Sequence, residues 1–578
     1  MKTKCLSIAA ICLLAGLPVV AQESVLARID RLEPGDVEVR GFELDSTRNV
    51  TIEAWGLNPD RRYEHKAFSL ASAWILDARS REVVWDLKDA KPVRRQRDLR
   101  RFEQGLRLGP GIYEVYYATF PTERYDEYGD WLESTARAVG RMFGWDDDKQ
   151  YLKVIDELEI VVRGTGRSVD QKRLEKAREA LREEALVAAV ASDDSVTKSY
   201  GFLVKEPTEV LVYAVGELSA GDEGYDYGWI TNAKTRERVW RMTWDNSDRA
   251  GGAKKNRVAH DVVTLPPGKY VAHFVTDDSH SPQRWNALPP RDPAFWGMTL
   301  WLKNPDQMAR VERFDYQYLP TEGHAIVELT RLRDDEHVSE GFTLSKAADV
   351  RIYAVGEGFP RDMADYGWIV DARTRKKVWA MDYERTVHAG GGSKNRVADE
   401  VLRLEPGSYI VSFVTDGSHA YRDWNTSPPS RPERWGITVF GTEDFDPSVV
   451  AAYREEEDPN VLARIARVKS DSHRRREFML TGDAEVSVYA LGEGTHGEMY
   501  DYAWIENSDG KVIWEMTYRM TDGAGGASKN RLFQGTLMLR PGQYVLHYRT
   551  DDSHAYRDWN ATPPHDPDAW GVQIALVE

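Results

Sequence analysis

Lys394-Asn-Arg-Val-Ala-Asp-Glu-Val-Leu-Arg-Leu404, then Gly407-Ser-Tyr-Ile-Val-Ser-Phe-Val-Thr-Asp-Gly-Ser-His419, Trp424-Asn425 and Trp435-Gly436, is the stretch on which the fold turns. Its β-branched and aromatic residues come in short runs separated by Pro-Gly and Asp-Gly, the pattern of strands joined by turns. The same order recurs upstream as Lys255-Asn-Arg257, Gly268-Lys-Tyr270, Asp277-Asp-Ser-His280, Trp285-Asn286 and Trp296-Gly297. It recurs downstream as Lys529-Asn-Arg531, Gly542-Gln-Tyr544, Asp551-Asp-Ser-His554, Trp559-Asn560 and Trp570-Gly571. From each Lys onward the spacing is identical, so the three blocks are copies of one structural unit.

Working outward, each copy begins with a Tyr-Ala-x-Gly-Glu strand ending at Glu217, Glu357 or Glu493, followed by Asp226, Asp365 or Asp501 and a paired tryptophan. About seven strands in roughly 115 residues is the rhythm of an antiparallel β-sandwich. A fainter first copy keeps Trp74, Trp85 and the Pro110-Gly-Ile-Tyr113 turn, but has Leu57 and Ala71 where the others have Glu and Asp. The expected fold is mainly β: four tandem antiparallel β-sandwich modules of jelly-roll or immunoglobulin-like type, with a connecting helix after the first. The expected boundaries are a signal peptide over 1–21, a divergent module with a helical insertion (about 133–144) over 22–163 and a helical linker over 164–192. Modules then follow over 193–303, 325–440 and 460–578, separated by linkers at 304–324 and 441–459. The succession of strands ending in a Pro-Gly-x-Tyr turn resembles pre-peptidase C-terminal and other jelly-roll-like accessory modules, a likeness of pattern that carries no specific motif.

The chain has 578 residues and a net charge of -17, which argues against nucleic acid, whose phosphates need a basic surface. Cys5 and Cys12, the only cysteines, lie behind Lys2 and Lys4 in an apolar run from Leu6 to Ala21. That run reads as a secretory signal peptide. Cleavage leaves a chain without thiols, which excludes disulfides, Cys-ligated zinc and thiol nucleophiles. The expected location is a bacterial periplasm or the exterior, with no transmembrane span after cleavage.

If successive strands alternate in direction, the loops carrying Glu357 and Asp365, Lys394 to Arg396, and Asp416 to Asn425 all emerge at one end of the sandwich. The candidate ligand-binding residues are therefore Glu217, Asp226, Lys255, Asn256, Arg257, Asp277, Ser279, His280, Trp285 and Asn286 in module two. Their counterparts are Glu357, Asp365, Lys394, Asn395, Arg396, Asp416, Ser418, His419, Trp424 and Asn425 in module three. Module four supplies Glu493, Asp501, Lys529, Asn530, Arg531, Asp551, Ser553, His554, Trp559 and Asn560.

Four chemistries compete for this set. Adjacent Ser and His on one loop rarely reach nucleophile-base geometry, so a hydrolase ranks last and no catalytic residue is assigned. The carboxylates and His suit a divalent cation, but Lys and Arg on the same rim oppose one; no cofactor is otherwise expected. A structural reading pairs Asp416 with Arg396 and lets Ser and His cap the turn. The leading reading is non-catalytic binding of a glycan or other polar cell-envelope component, with a scaffold that engages another protein as the alternative. If the set serves a ligand, His419→Ala with Arg396→Ala should leave the unfolding of module three almost unchanged. An open rim favours binding, and the same groups sealed beneath the Trp and Pro-Pro segment favour a scaffold.

Overall fold

In module three, Val350, Ile352, Ala354, Val411, Phe413, Ile437 and Val439 are buried, and so are the intervening Arg351, Tyr353, Ser412 and Thr438. Successive side chains point to opposite faces of a sheet, so these central strands are covered on both faces, one of them by the facing sheet of the sandwich. The computed structural model describes residues 24–58, 68, 70–121, 149–220, 224–316, 325–453 and 460–577. The signal peptide and the helix expected near 133–144 lie outside them.

One sheet of module three runs, in order, Ala325–Thr330, Gly436–Gly441, Ala348–Phe359, Asn395–Leu404 and Val387–His388, all antiparallel. The other runs Lys377–Ala380, Tyr366–Asp371, Gly407–Val414, His337–Leu344 and Val450–Ala452. Asn395–Leu404 and Gly407–Val414 thus belong to different sheets, and the Pro406-Gly407 turn carries the chain across the core. Modules one and four repeat this plan with two separate sheets, and in module two the pairing of Glu217 with Asp226 joins the two layers into one ten-stranded sheet; the protein is a four-module antiparallel β-sandwich array with helix Gln171–Glu183 after the first module. Asp170 caps that helix by accepting from Arg173 N, and Leu174, Arg178 and Leu181 form its buried face. Among the described residues no helix is long and apolar enough to cross a membrane.

The segments expected to be linkers are partly sheet. Arg167–Val169 pairs with Gly41–Glu43, Val311–Phe314 with Gly201–Val204, and Val450–Ala452 with Phe342–Leu344. Val187–Val190, expected to continue the helix, instead pairs with Gly297–Leu300. These runs of three or four residues are too short for periodicity to reveal. Each of the first three edges is covered by a side chain that needs a glycine: a Cβ on Gly41, Gly201 or Gly341 would lie 2.6, 2.4 or 2.5 Å from Leu174, Phe314 or Tyr453. Module four has Glu477 at this position and exposed Arg474, Arg475 and Arg476 on the same strand, a charged edge that resists pairing.

The described residues form two compact units, modules one and two in the first and modules three and four in the second, with 195–197 and 231–239 grouped with the second. Within the first unit, buried Arg81 donates from Nε and Nη2 to Asp292 at 3.0 and 2.5 Å and from Nη1 to Glu114 at 2.9 Å. Tyr213 adds a 2.8 Å bond to Asp292, and Arg178 closes on Glu114 at 2.7 Å. Within the second unit, Arg375 and Tyr489 both reach Asp566 at 3.3 Å, and the His565 ring sits 4.6 Å from that of Trp368. Arg81 and Arg375 occupy the same turn position with φ of 62° and 57°, where module four has Gly510.

Candidate functional site

Strand register sets the loop end. Glu357 stands opposite Asn395 and Gly356 opposite Arg396, as Glu217 does to Asn256 and Glu493 to Asn530. The glycine before each Glu is required by packing: a Cβ on Gly356 would lie 2.1 Å from Asp365 O. That close approach brings Asp365 back over the strand, where its N donates to Glu357 O at 3.1 Å. Asp416 N in turn donates to Asp365 Oδ1 at 2.8 Å, and Trp435 Nε1 to Asp365 Oδ2 at 2.9 Å. The same bonds join Asp226 with Asp277 and Trp296, and Asp501 with Asp551 and Trp570. The three loops therefore meet at one end in each of these modules.

Part of the candidate set holds that end together. Asn395, fully buried, donates from Nδ2 to Gly390 O and Ser427 O at 2.8 and 2.9 Å, while its Oδ1 bonds His419 Nε2 at 2.6 Å. Asn256 with His280 and Asn530 with His554 repeat the bond at 2.7 and 2.6 Å. Each His sits in the left-handed region, φ 63°, 56° and 50°, wedged edge-on against two tryptophans such as Trp424 and Trp435. Burial first, and the Lys394 charge second, depress the His419 pKa to about 4; burial and Lys529 do the same for His554. With Nε2 committed to Asn395, His419 is not placed as a base for Ser418, whose N and Oγ turn back to Asp416 Oδ1. The Gly-Gly pair is explained by packing too, since a Cβ on Gly391 would lie 2.0 Å from Pro428 O.

The arginines leave the cluster. Arg396 donates from Nε to Thr386 Oγ1 at 3.0 Å and from Nη2 to Thr386 O at 3.3 Å, with its guanidinium 4.4 Å from the Tyr383 ring. Arg257 turns to Ser247 and the Trp244 ring, and Arg531 to Thr521 and Tyr518. The expected pairing of Asp416 with Arg396 is thus replaced by bonds to Thr386, in the turn before the edge strand, and the Arg is removed as an obstacle to a cation. Thr386 and Tyr383 recur as Thr521 and Tyr518 in module four and become Ser247 and Trp244 in module two, a hydroxyl and an aromatic ring at fixed distance before each Arg.

What remains is acidic. Glu357, Asp365 and Asp416 bring carboxylate oxygens within 4.8 Å of one another, and Glu493, Asp501 and Asp551 do the same. Lys394 Nζ and Lys529 Nζ each bond Oε1 of the Glu at 2.9 Å, but Glu357 Oε2 and Glu493 Oε2 are buried without a hydrogen-bond partner. Glu357 is 2% exposed and Glu493 6%. Glu217 with Lys255, Asp226 and Asp277 holds the corresponding place in module two, again with Oε2 unpartnered. Burial above all, with the neighbouring acids, pushes the Asp365 and Asp501 pKa values up to about 8. Acidic clusters of this kind can hold a divalent cation.

In the loops that follow His419 and His554, Arg422 and Asn425 in module three and Arg557 and Asn560 in module four are exposed, with each Arg over a neighbouring Tyr ring at 5.3 and 5.4 Å. Trp424 and Trp559 are half-buried and Trp285 is buried. Lys529 Nζ also bonds the Asn560 side chain. Module one shows the end built without the acids and the amide: Leu57, Leu99 and Ala71 occupy the Glu, Asn and Asp positions and are buried, while Arg100 keeps the Arg position and donates to Leu57 O at 2.9 Å.

No family model and no curated protein matches the chain. Among solved structures, the CUB1-EGF-CUB2 domain of human MASP-1/3 is similar at 9% identity and TM-score 0.14, over 43% of this chain and 96% of that one. The CBM32-1, CBM32-2 and M60 catalytic domains from Clostridium perfringens ZmpB are similar at 9% identity and TM-score 0.10, over 67% of this chain and 53% of that one. Nothing about the site rests on either likeness.

Proposed function

We propose that the chain is an exported, non-catalytic, multivalent binding protein in which modules two to four share the loop-end architecture and modules three and four each hold a divalent cation there. The ligand would be a glycan or other polar cell-envelope component, met by the cation and the exposed Arg and Asn side chains beside it. The observation that carries this reading is the buried, unpartnered Glu357 Oε2 beside Asp365 and Asp416, repeated at Glu493. A buried carboxylate oxygen without a partner is strongly unfavourable unless something fills its place. Oxygen-only ligands and a flexible geometry suit calcium best. Module one supports the same view, because its apolar residues close the equivalent end without acids. The burial of the Asn and His pairs favours the scaffold alternative for that half of the motif only, so the binding set contracts to the carboxylates and the exposed Arg and Asn.

The test is a glycan and cell-wall array probed with the full chain in calcium and in EDTA. Retention in calcium that drops at least tenfold in EDTA, and likewise in the Arg422→Ala/Arg557→Ala variant, is the expected result. Equal retention in both buffers would remove the cation from the reading.

A further inference from the structure

A second polar concavity is lined by none of the loop-end carboxylates, although one of its walls, Gly251 to Lys254, is the module-two loop that leads into Lys255. Within the first unit a cleft of about 1010 Å³ runs between the walls of modules one and two, lined among others by Trp85, Gln104, Lys88, Arg249, Lys254 and Arg291. Its volume is at the upper end of the range of small-ligand sites.

Arg291 is the decisive residue. It is 8% exposed, yet its guanidinium is only partly used: Nε and Nη2 bond Asp86 at 2.7 and 3.1 Å, and Nη2 also reaches Ser72 Oγ at 3.1 Å. Nη1 is buried and has no hydrogen-bond partner. The group is held in place from one side by the Trp74 ring, 4.7 Å from its centre, so Nη1 is a fixed donor. A Cβ on Gly251 would lie 2.5 Å from Arg291 Cγ, so this loop glycine makes the room that the side chain occupies.

The charges along the cleft have the same bias. Arg291 is offset by Asp86 and Arg81 by Asp292. That leaves exposed Lys88, Arg249 and Lys254, none in an ion pair with a described residue, against Glu82 and Asp89 on the same lining. In a chain of net charge -17 this is a local cationic surplus. Carboxylate and carboxamide acceptors beside it, with the Trp85 ring in the wall, are the partners that sugar hydroxyls and apolar sugar faces use.

We infer that this cleft binds an acidic saccharide, its carboxylate or phosphate seated on Arg291 Nη1 and flanked by Arg249 and Lys254. The site is independent of the loop-end carboxylates and needs no metal. Calorimetry on the full chain in EDTA, which silences any cation-dependent site, tests it with trigalacturonate, glucose 6-phosphate and neutral galactotriose. The expected result is one site per chain for at least one of the acidic probes, weakened by salt, and no heat from galactotriose. The two acidic arms separate a carboxylate from a phosphate source. Arg249→Glu with Lys254→Glu should weaken binding at least tenfold without moving the melting temperature, and Arg291→Lys should weaken it as well. Absence of binding by both acidic probes, equal binding of the neutral sugar, or full affinity in the double variant overturns the inference.

Discussion

Calcium added in excess to EDTA-stripped protein at pH 8 is expected to raise the unfolding temperature of modules three and four by about 10 °C. A ligand at a hundred times its dissociation constant stabilises by about 2.7 kcal/mol, and one kcal/mol moves a domain of this size by roughly 4 °C. The pH dependence distinguishes this from a non-specific salt effect. Asp365 and Asp501 are raised to about 8 by burial, whereas an unfolded Asp ionises near 3.9. Between those values the metal-free native state binds more protons than the unfolded chain, so its stability falls as pH rises. Calcium needs the carboxylates ionised, so its contribution grows over the same window. Melting in EDTA should therefore decline from pH 5 to pH 8, and melting in calcium should not. Glu357→Gln with Glu493→Gln keeps the shape of both side chains and should abolish the calcium response. Identical curves with and without calcium at pH 8 would refute the cation site.

Asn395→Ala should destabilise module three by about 4 kcal/mol, since it strands the Gly390 and Ser427 carbonyls and His419 Nε2 in the interior at about 1–3 kcal/mol each. At roughly 4 °C or more per kcal/mol the transition should fall by about 15 °C or more. A shift within a few degrees would show that water replaces the amide and that the end of the sandwich is more open than its geometry. The same reasoning reverses the expectation for His419→Ala with Arg396→Ala, read from sequence as nearly silent: both side chains are buried and bonded, so the double variant should unfold early.

Repetition made the architecture legible, because three copies with identical spacing from Lys394, Lys255 and Lys529 onward leave little freedom in topology. Strand alternation also placed the three loops at one end, although consecutive strands lie in different sheets. What sequence could not show was depth. Polar residues in Gly-rich loops read as a solvated rim, yet Asn395, His419 and Asp365 are sealed by Trp424, Trp435 and the Pro-Pro segment. Nor could spacing tell which partner an Arg would choose: Arg396 goes to Thr386, in the turn just before the two-residue edge strand Val387–His388, which no periodicity marks. Module one held the clue, since Leu57 and Ala71 opposite Glu357 and Asp365 are what a buried position, not a wet one, exchanges.

The arginine turns at Arg81 and Arg375 bear on how the chain can be cut. Each guanidinium is buried against an Asp that belongs to the following module, Asp292 or Asp566. A fragment ending after module one or module three would leave a cation adapted to the interior facing solvent and strip the neighbouring tryptophan, Trp74 or Trp368, of its cover. The smallest piece to express, label or crystallise is therefore a pair, and a single-module clone that aggregates would report its severed boundary rather than a weak fold.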